Sequence, residues 1–208
     1  MTLDEALAVC PAVAILRGVS PDEAVGVGEA LFDAGVRAVE VPLNSPDPLQ
    51  SLRRLASAFA GRMICGAGTV LTPEQVYAAA EAGGRFIVAP NTESPVIRRS
   101  VALGLEPVPG FATASEAFTA IAAGARRLKL FPASTYGPGH LRQLGAVLPP
   151  DVQIWAVGGV RAGDLAAWWA AGARAFGIGS EIYCAGQTAD ETRVKARIVV
   201  AATRALAA

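Results

Sequence analysis

Apolar and polar residues follow two alternating periods along this chain, one typical of buried strands and one typical of amphipathic helices. Eight short runs are almost uniformly apolar, as parallel strands covered on both faces are. They lie at 12–16, 38–41, 63–66, 86–89, 105–108, 128–131, 154–157 and 175–178. The segments between and around them predict helices at 3–9, 21–33, 48–60, 73–82, 94–103, 114–123, 139–148, 162–171 and 191–207.

A recurring glycine marks the end of most of these helices. It stands a few residues before the next strand at Gly35, Gly83, Gly104, Gly124 and Gly172. Glycine adopts the left-handed conformation that ends a helix at little cost. Strand–helix units repeated roughly every 20 to 25 residues indicate a parallel sheet. Eight even units favour an α/β fold of the TIM (β/α)8 barrel type with an extra N-terminal helix, over a doubly wound open sheet, in one domain spanning 1–208.

Composition and charge narrow the possible partners. The formal net charge is zero, so nothing indicates a nucleic acid or an anionic membrane surface. No apolar run approaches the roughly 18 residues of a membrane span, and the acidic start lacks the basic residues of a signal peptide. Three widely spaced cysteines and one histidine indicate neither a disulfide framework nor a metal centre. We expect a cytoplasmic protein that needs no cofactor.

Lys129 lies in the middle of the sixth apolar strand, and the chain has only one other lysine. A buried ammonium is costly, and the usual escape is loss of the proton. A neutral lysine amine is a nucleophile towards carbonyl groups. We therefore consider a Schiff base between Lys129 and a keto substrate. The alternative is that the lysine stem packs in the strand while its head reaches solvent or pairs with an acid.

Glu40 is the matching anomaly, a carboxyl group inside the second apolar strand. Together with Lys129 it could form a buried salt bridge, or it could shuttle protons for a lysine nucleophile. Apolar residues of similar volume often stabilise a core as well as a buried ion pair does. This comparison favours the functional interpretation.

Other candidates lie where strands end, because the active site of a TIM barrel forms at the C-terminal ends of its strands. Arg17 ends the first strand and could bind a carboxylate or phosphate through two parallel hydrogen bonds, or pair with a neighbouring acid. Thr69 follows two glycines, and the next helix already has its own cap in Thr72. Glycines after the seventh and eighth strands could bind phosphate through backbone N–H groups.

Several segments taken together resemble the KDPG/KHG aldolase family. They are AILRG at 14–18, VEVPLNSP at 39–46, GAGTVL at 66–71, LKLFP at 128–132 and AVGGV at 156–160. The resemblance implies a class I aldolase on a TIM barrel, independent of metal and typically a homotrimer. It implies Lys129 as the Schiff-base lysine and Glu40 as the proton shuttle. The implied substrate-binding residues are Arg17, Thr69, Asn44, Pro90, Phe111, Val157, Gly158, Gly159, Gly179 and Ser180.

Two departures from the gluconate-type members bear on the substrate. Those members usually read Glu-Val-Thr-Leu-Arg-Thr where this chain has EVPLNS at 40–45, and Pro-Thr-Gly-Gly where it has AVGG at 156–159. Arg17 could supply the cation that is missing at Asn44. The resemblance favours 2-dehydro-3-deoxy-6-phosphogalactonate, a phosphorylated 2-keto-3-deoxy sugar acid, cleaved to pyruvate and D-glyceraldehyde 3-phosphate. The alternatives are the gluconate epimer, both epimers, a phosphate-binding barrel resembling thiamine-phosphate synthase, and a non-catalytic sugar-phosphate binder.

Overall fold

The computed structural model describes residues 1–206. Its strands are β1 (Ala12–Ile15), β2 (Ala38–Pro42), β3 (Ile64–Gly68), β4 (Phe86–Val88), β5 (Glu106–Val108), β6 (Gly110–Phe111), β7 (Arg127–Leu130), β8 (Gln153–Val157) and β9 (Ala173–Ile178). Its α-helices are α1 (Leu3–Val9), α2 (Pro21–Ala34), α3 (Pro48–Ala58), α4 (Pro73–Glu81), α5 (Ser94–Ala102), α6 (Ala114–Ala122), α7 (Ala133–Gly145), α8 (Leu165–Ala170) and α9 (Ala189–Arg204). All strand pairs are parallel, in the order β5-β4-β3-β2-β1-β9-β8-β7-β6.

The barrel is completed by β6, a two-residue strand that was not predicted and that follows the strand predicted at 105–108. β5 pairs with β4, whereas β6 pairs with β7 at the other end of the sheet. Pro109 separates these two strands, and proline has no N–H to donate to a strand ladder. Its carbonyl still accepts a hydrogen bond of 2.8 Å from the backbone N–H of Lys129. The chain therefore bridges both ends of the sheet, and the predicted TIM-type barrel with an N-terminal helix is confirmed.

Alternation along each strand separates two apolar layers. Val39 and Val41 of β2 pack in the outer layer between strands and helices, as Leu128 and Leu130 of β7 do. Residues of the opposite parity face the barrel interior, and its apolar members include Val13, Ile15, Ala38, Ile64, Phe86, Val88, Val108, Trp155, Val157 and Ala175. Glu40 and Lys129 share this inward parity.

Helix α1 covers the N-terminal end of the barrel. Leu3, Ala6 and Leu7 join the interior apolar cluster from below. The buried Arg127 of β7 donates to Asp4 of this helix at 2.5 Å and also pairs with Glu106 of β5. Apolar packing and a charged clamp together hold α1 in place, so the opposite end of the barrel is the open one.

The helices differ from the predicted ones mainly at their ends. Helix α7 begins at Ala133 and not at 139. Gly137 (φ 77°, ψ 166°) interrupts the helical conformation just before Pro138, so the apolar pattern does not reveal the first turn. The helix predicted at 162–171 begins as a 3-10 turn at Ala162–Asp164. Of the helix predicted at 191–207, residue 207 lies outside the described residues. None of the helices described is long and apolar enough to cross a membrane.

Candidate active site

A cavity of about 850 Å³ opens at the C-terminal end of the barrel. It brings together residues from β1, β2, β7, β8 and β9 and from the loops that follow them. The predicted site residues that line it are Arg17, Glu40, Lys129, Val157, Gly158, Gly159, Gly179 and Ser180. Strands far apart in sequence thus deliver the two predicted catalytic residues and most of the predicted binding residues to one place.

Lys129 reaches this cavity from the middle of β7. Only 6% of the residue is exposed, and its Nζ lies 4.5 Å from the centroid of the Phe131 ring. Across residues 1–206, Lys129 belongs to no salt bridge. Burial lowers the pKa of the amine below the 10.5 of a free lysine; the Glu40 carboxylate opposes this effect, and the positive charge of Arg17 adds to it.

Glu40 enters the same cavity from β2 and is 4% exposed. Burial raises its pKa above the usual 4.5, against the opposing charges of Lys129 and Arg17. In the described part of the chain, its Oε2 has no hydrogen-bond partner. A Cβ added to Gly68 would collide with this carboxyl group. Glycine at position 68 therefore leaves the room that the carboxyl group occupies.

The same physical cause pushes both groups towards their neutral forms. A neutral amine can attack a carbonyl carbon, and a protonated carboxyl group can supply the proton that removes an oxygen as water. An unpartnered carboxyl oxygen is free to accept or deliver a proton to a bound molecule. The arrangement can therefore form and break an imine.

Arg17 occupies another part of the cavity wall, at the end of β1. Its Nη1 donates a hydrogen bond of 2.6 Å to Oδ1 of Asn44, and the next backbone N–H, at Gly18, donates to Ser45 Oγ at 2.9 Å. Asn44 itself does not line the cavity. The loop after β2 thus orients an arginine that can bind an anion.

The loops after β8 and β9 form a different part of the wall. Gly158 and Gly159 have φ angles of 96° and 72°, and a Cβ added to Gly159 would lie 2.5 Å from Ser134 Oγ. Among residues 1–206, neither the N–H of Gly159 nor that of Ser180 donates to a protein acceptor. These loops offer free backbone donors to an anion.

Besides Asn44, three further predicted site residues stand apart from this cavity lining. Thr69 directly follows β3 with a φ of 56°, a conformation that β-branched residues rarely adopt. The Pro90 carbonyl lies so close to Gly110 that no side chain fits there. Phe111 packs in the outer apolar layer and is 2% exposed. Any contact that Phe111 makes to a substrate must come through its backbone.

The sequence analysis missed some residues that line the cavity: Phe131, Ser134, Arg161 and Tyr183. They lie one to five residues beyond the ends of β7, β8 and β9. Phe131 is the last residue of the strand predicted at 128–131, whereas Ser134, Arg161 and Tyr183 lie further into the loops. In TIM barrels the whole loop after each strand can contribute to the site. The polar and aromatic residues in these loops could have indicated further members of the site.

Comparison with known proteins identifies the family of this chain. A family model described as "KDPG and KHG aldolase" matches residues 3–197. The 2-dehydro-3-deoxy-6-phosphogalactonate aldolase of Escherichia coli (strain K12) is 50% identical over 194 residues, which are 93% of this chain and 95% of that protein. The chain belongs to the KDPG and KHG aldolase family, and it is an aldolase.

Two solved structures are also similar. One, titled "Native KDPGal structure", has a TM-score of 0.93 and 49% identity over 95% of this chain and 96% of that chain. The other is a cube-shaped protein cage "designed by fusing symmetric oligomeric domains", with a TM-score of 0.93 and 49% identity over 95% of this chain and 73% of that chain.

Proposed function

We propose that this protein is a Schiff-base aldolase that cleaves 2-dehydro-3-deoxy-6-phosphogalactonate to pyruvate and D-glyceraldehyde 3-phosphate in the cytoplasm, as a step of galactonate catabolism. The observation that carries the proposal is a buried lysine with a lowered pKa that shares one cavity with a buried, unpartnered carboxyl group. The E. coli relative, which bears the name of this activity, supports the choice of substrate.

The proposed chemistry begins when the neutral amine of Lys129 adds to the C2 ketone. The carbinolamine takes a proton from Glu40 and loses water, which leaves a cationic iminium. The C4 hydroxyl then gives its proton to Glu40, directly or through a water. The C3–C4 bond breaks, its electron pair moves into the iminium to form an enamine, and the aldehyde leaves. Glu40 returns the proton to C3, and water releases pyruvate and the free amine.

Arg17 and the glycine loops position the substrate in this scheme. Arg17, held by Asn44, binds the carboxylate, while Gly159, Gly179 and Ser180 hold the phosphate. Thr69, which follows β3 outside the cavity lining, is proposed as a second contact to the carboxylate. The two anionic ends then lie away from the bond that breaks. Binding energy from these ends places C3 and C4 for cleavage.

Val157 stands where the gluconate-type members usually carry threonine, and this departure supports the choice of the galactonate epimer. Its side chain lines the cavity and is 3% exposed, and it has no polar atom to hydrogen-bond a hydroxyl group. The alternative substrate is 2-dehydro-3-deoxy-6-phosphogluconate, which differs only in the configuration at C4.

Release of pyruvate from both epimers by the purified protein tests the proposal. We expect a higher kcat/KM for the galactonate epimer, and loss of nearly all turnover in Lys129→Met and in Glu40→Gln. The matched control is Glu106→Gln, whose carboxyl group lies at the closed end of the barrel. Turnover that survives in Lys129→Met would refute the Schiff-base mechanism, and a preference for the gluconate epimer would refute the choice of substrate.

We further propose that the chain assembles with copies of itself, as a homotrimer. Tyr77 on α4, Val101 on α5 and Phe118 on α6 are 52%, 48% and 46% exposed on three consecutive helices. An exposed apolar surface of this kind commonly marks an interface. The similar cage protein, made from symmetric oligomeric domains, supports this proposal.

A further inference from the structure

The cavity presents two arginines in different surroundings. Arg17 is hydrogen-bonded to Asn44, and its charge acts on both Lys129 and Glu40. Arg161 lies on the cavity wall with the β8 loop, two residues beyond Gly159. Its side chain is exposed. Within the part of the chain that the structure describes, its guanidinium group forms neither a salt bridge nor a hydrogen bond.

The surroundings of Arg161 suit an anion. Gly159 and Ser180 present backbone N–H groups that no protein acceptor uses in residues 1–206, and the Ser134 hydroxyl lies against Gly159. Backbone donors of this kind supply partial charges only. A guanidinium group adds a full positive charge and a planar fork of donors that matches phosphate geometry.

We propose that Arg161 binds the phosphate group of the substrate and makes the enzyme select phosphorylated over unphosphorylated 2-keto-3-deoxy sugar acids. This inference rests on the proposed function, because it assigns Arg161 to one end of the same substrate. Arg17 then serves the carboxylate end and Arg161 the phosphate end. A substrate with both anions spans the cavity from one arginine to the other.

Glu181 gives the proposal a second consequence. This exposed carboxylate lines the same cavity from the β9 loop, next to Ser180. Against a phosphate bound in this cavity, the Glu181 carboxylate is a like charge. Glu181→Gln is therefore expected to lower the KM for the phosphorylated substrate, whereas Arg161→Gln raises it.

The test compares kcat/KM for 2-dehydro-3-deoxy-6-phosphogalactonate with that for unphosphorylated 2-dehydro-3-deoxygalactonate. In Arg161→Gln, we expect the ratio of these two values to fall by about 10-fold or more, through KM. Arg161→Lys retains the charge without the fork and is expected to lose less. The control is Arg98→Gln, which removes an exposed arginine of α5 outside the cavity and leaves the ratio unchanged.

Calorimetric titration with inorganic phosphate separates this inference from the proposed function. If the wild type cleaves neither substrate but binds phosphate, and Arg161→Gln abolishes that binding, the proposed function fails while the anion-binding role of Arg161 stands. If the wild type is active but Arg161→Gln lowers kcat/KM equally for both substrates, or leaves the ratio and phosphate binding unchanged, the inference is overturned.

Discussion

At the scale of single residues, the site contains residues whose burial or backbone conformation is unfavourable in free energy. Lys129 and Glu40 are a potential cation and a potential anion in an apolar barrel, and burial moves the pKa of each towards its neutral form. Thr69 adopts a backbone conformation that suits glycine or asparagine better. Such costs are commonly retained at positions where the chemistry needs them.

Arg17→Gln tests the electrostatic coupling inside the cavity. The charge of Arg17 helps to lower the pKa of Lys129, so its removal raises that pKa. Activity is lost at low pH as Lys129 takes up a proton, and the acid limb of kcat/KM is therefore expected to move to higher pH. Arg98→Gln is the control. An acid limb that stays in place or moves to lower pH would contradict the assignment of that limb to Lys129.

Thr69→Asn tests the strain at the end of β3. Asparagine tolerates a φ near 56° better than a β-branched residue does. We expect the free energy of unfolding to rise by about 1 kcal/mol while kcat/KM falls. Thr69→Val is the matched control, because it keeps the β-branch and removes the hydroxyl. It is expected to lose activity without gaining stability. A less stable Thr69→Asn variant in urea unfolding would show that the position is not strained.

At the scale of secondary-structure elements, the two ends of the barrel differ: a helix closes one end, and the other end is open. Helix α1 fills the N-terminal end with Leu3, Ala6 and Leu7 and clamps it through Arg127. At the C-terminal end, the loops after the strands stay open around the cavity. Lys129 and Arg127 lie two residues apart on one strand, so both face the barrel interior. Arg127 pairs with residues at the closed end, whereas Lys129 lines the cavity at the open end.

Asp4→Ala tests the clamp at the closed end. The partner of Asp4 is an arginine whose side chain is 8% exposed, so the lost bond is charge-assisted and partly desolvated. We expect a loss of about 1 kcal/mol in the free energy of unfolding. Asp22→Ala is the control: it also removes an acid from a first helical turn, but its pair with Arg54 is exposed, and it is expected to cost less than about 0.5 kcal/mol. Equal losses in the two variants would show that the clamp adds nothing.

Local sequence signals were sufficient to predict the barrel but not every loop. Glycine after most helices and uniformly apolar strands are short-range features, so the order of elements could be predicted. The division at Pro109 depends on which strands meet when the sheet closes, which is long-range information. Lys129 and Glu40 could be predicted because each is an anomaly within an apolar strand. Arg161 could not, because an exposed arginine in a loop is ordinary until the fold places it on the cavity wall.

At the scale of the whole molecule, the proposed assembly accounts for the exposed apolar residues on α4, α5 and α6. Tyr77, Val101 and Phe118 lie on the outside of the barrel, away from the interior cluster and the cavity. Covering them by a second copy would remove apolar surface from water. The face is thus available for association without closing the active site.

Phe118→Glu tests this assembly. A carboxylate within an apolar contact is costly to bury, so the variant is expected to sediment as a monomer while the wild type sediments as a trimer. Val194→Glu, at a valine that is 60% exposed on α9, is the control and is expected to remain trimeric. A monomeric wild type, or a Phe118→Glu variant that stays trimeric, would contradict the proposed interface.

The central claim is that Lys129 forms an imine with the keto group of its substrate. Borohydride reduction in the presence of pyruvate, followed by peptide mass mapping, tests it most directly. The account predicts a reduced pyruvyl adduct on the peptide that contains Lys129, present in the wild type and in Arg98→Gln and missing in Lys129→Met. No adduct, or an adduct found only on Lys195, would contradict it.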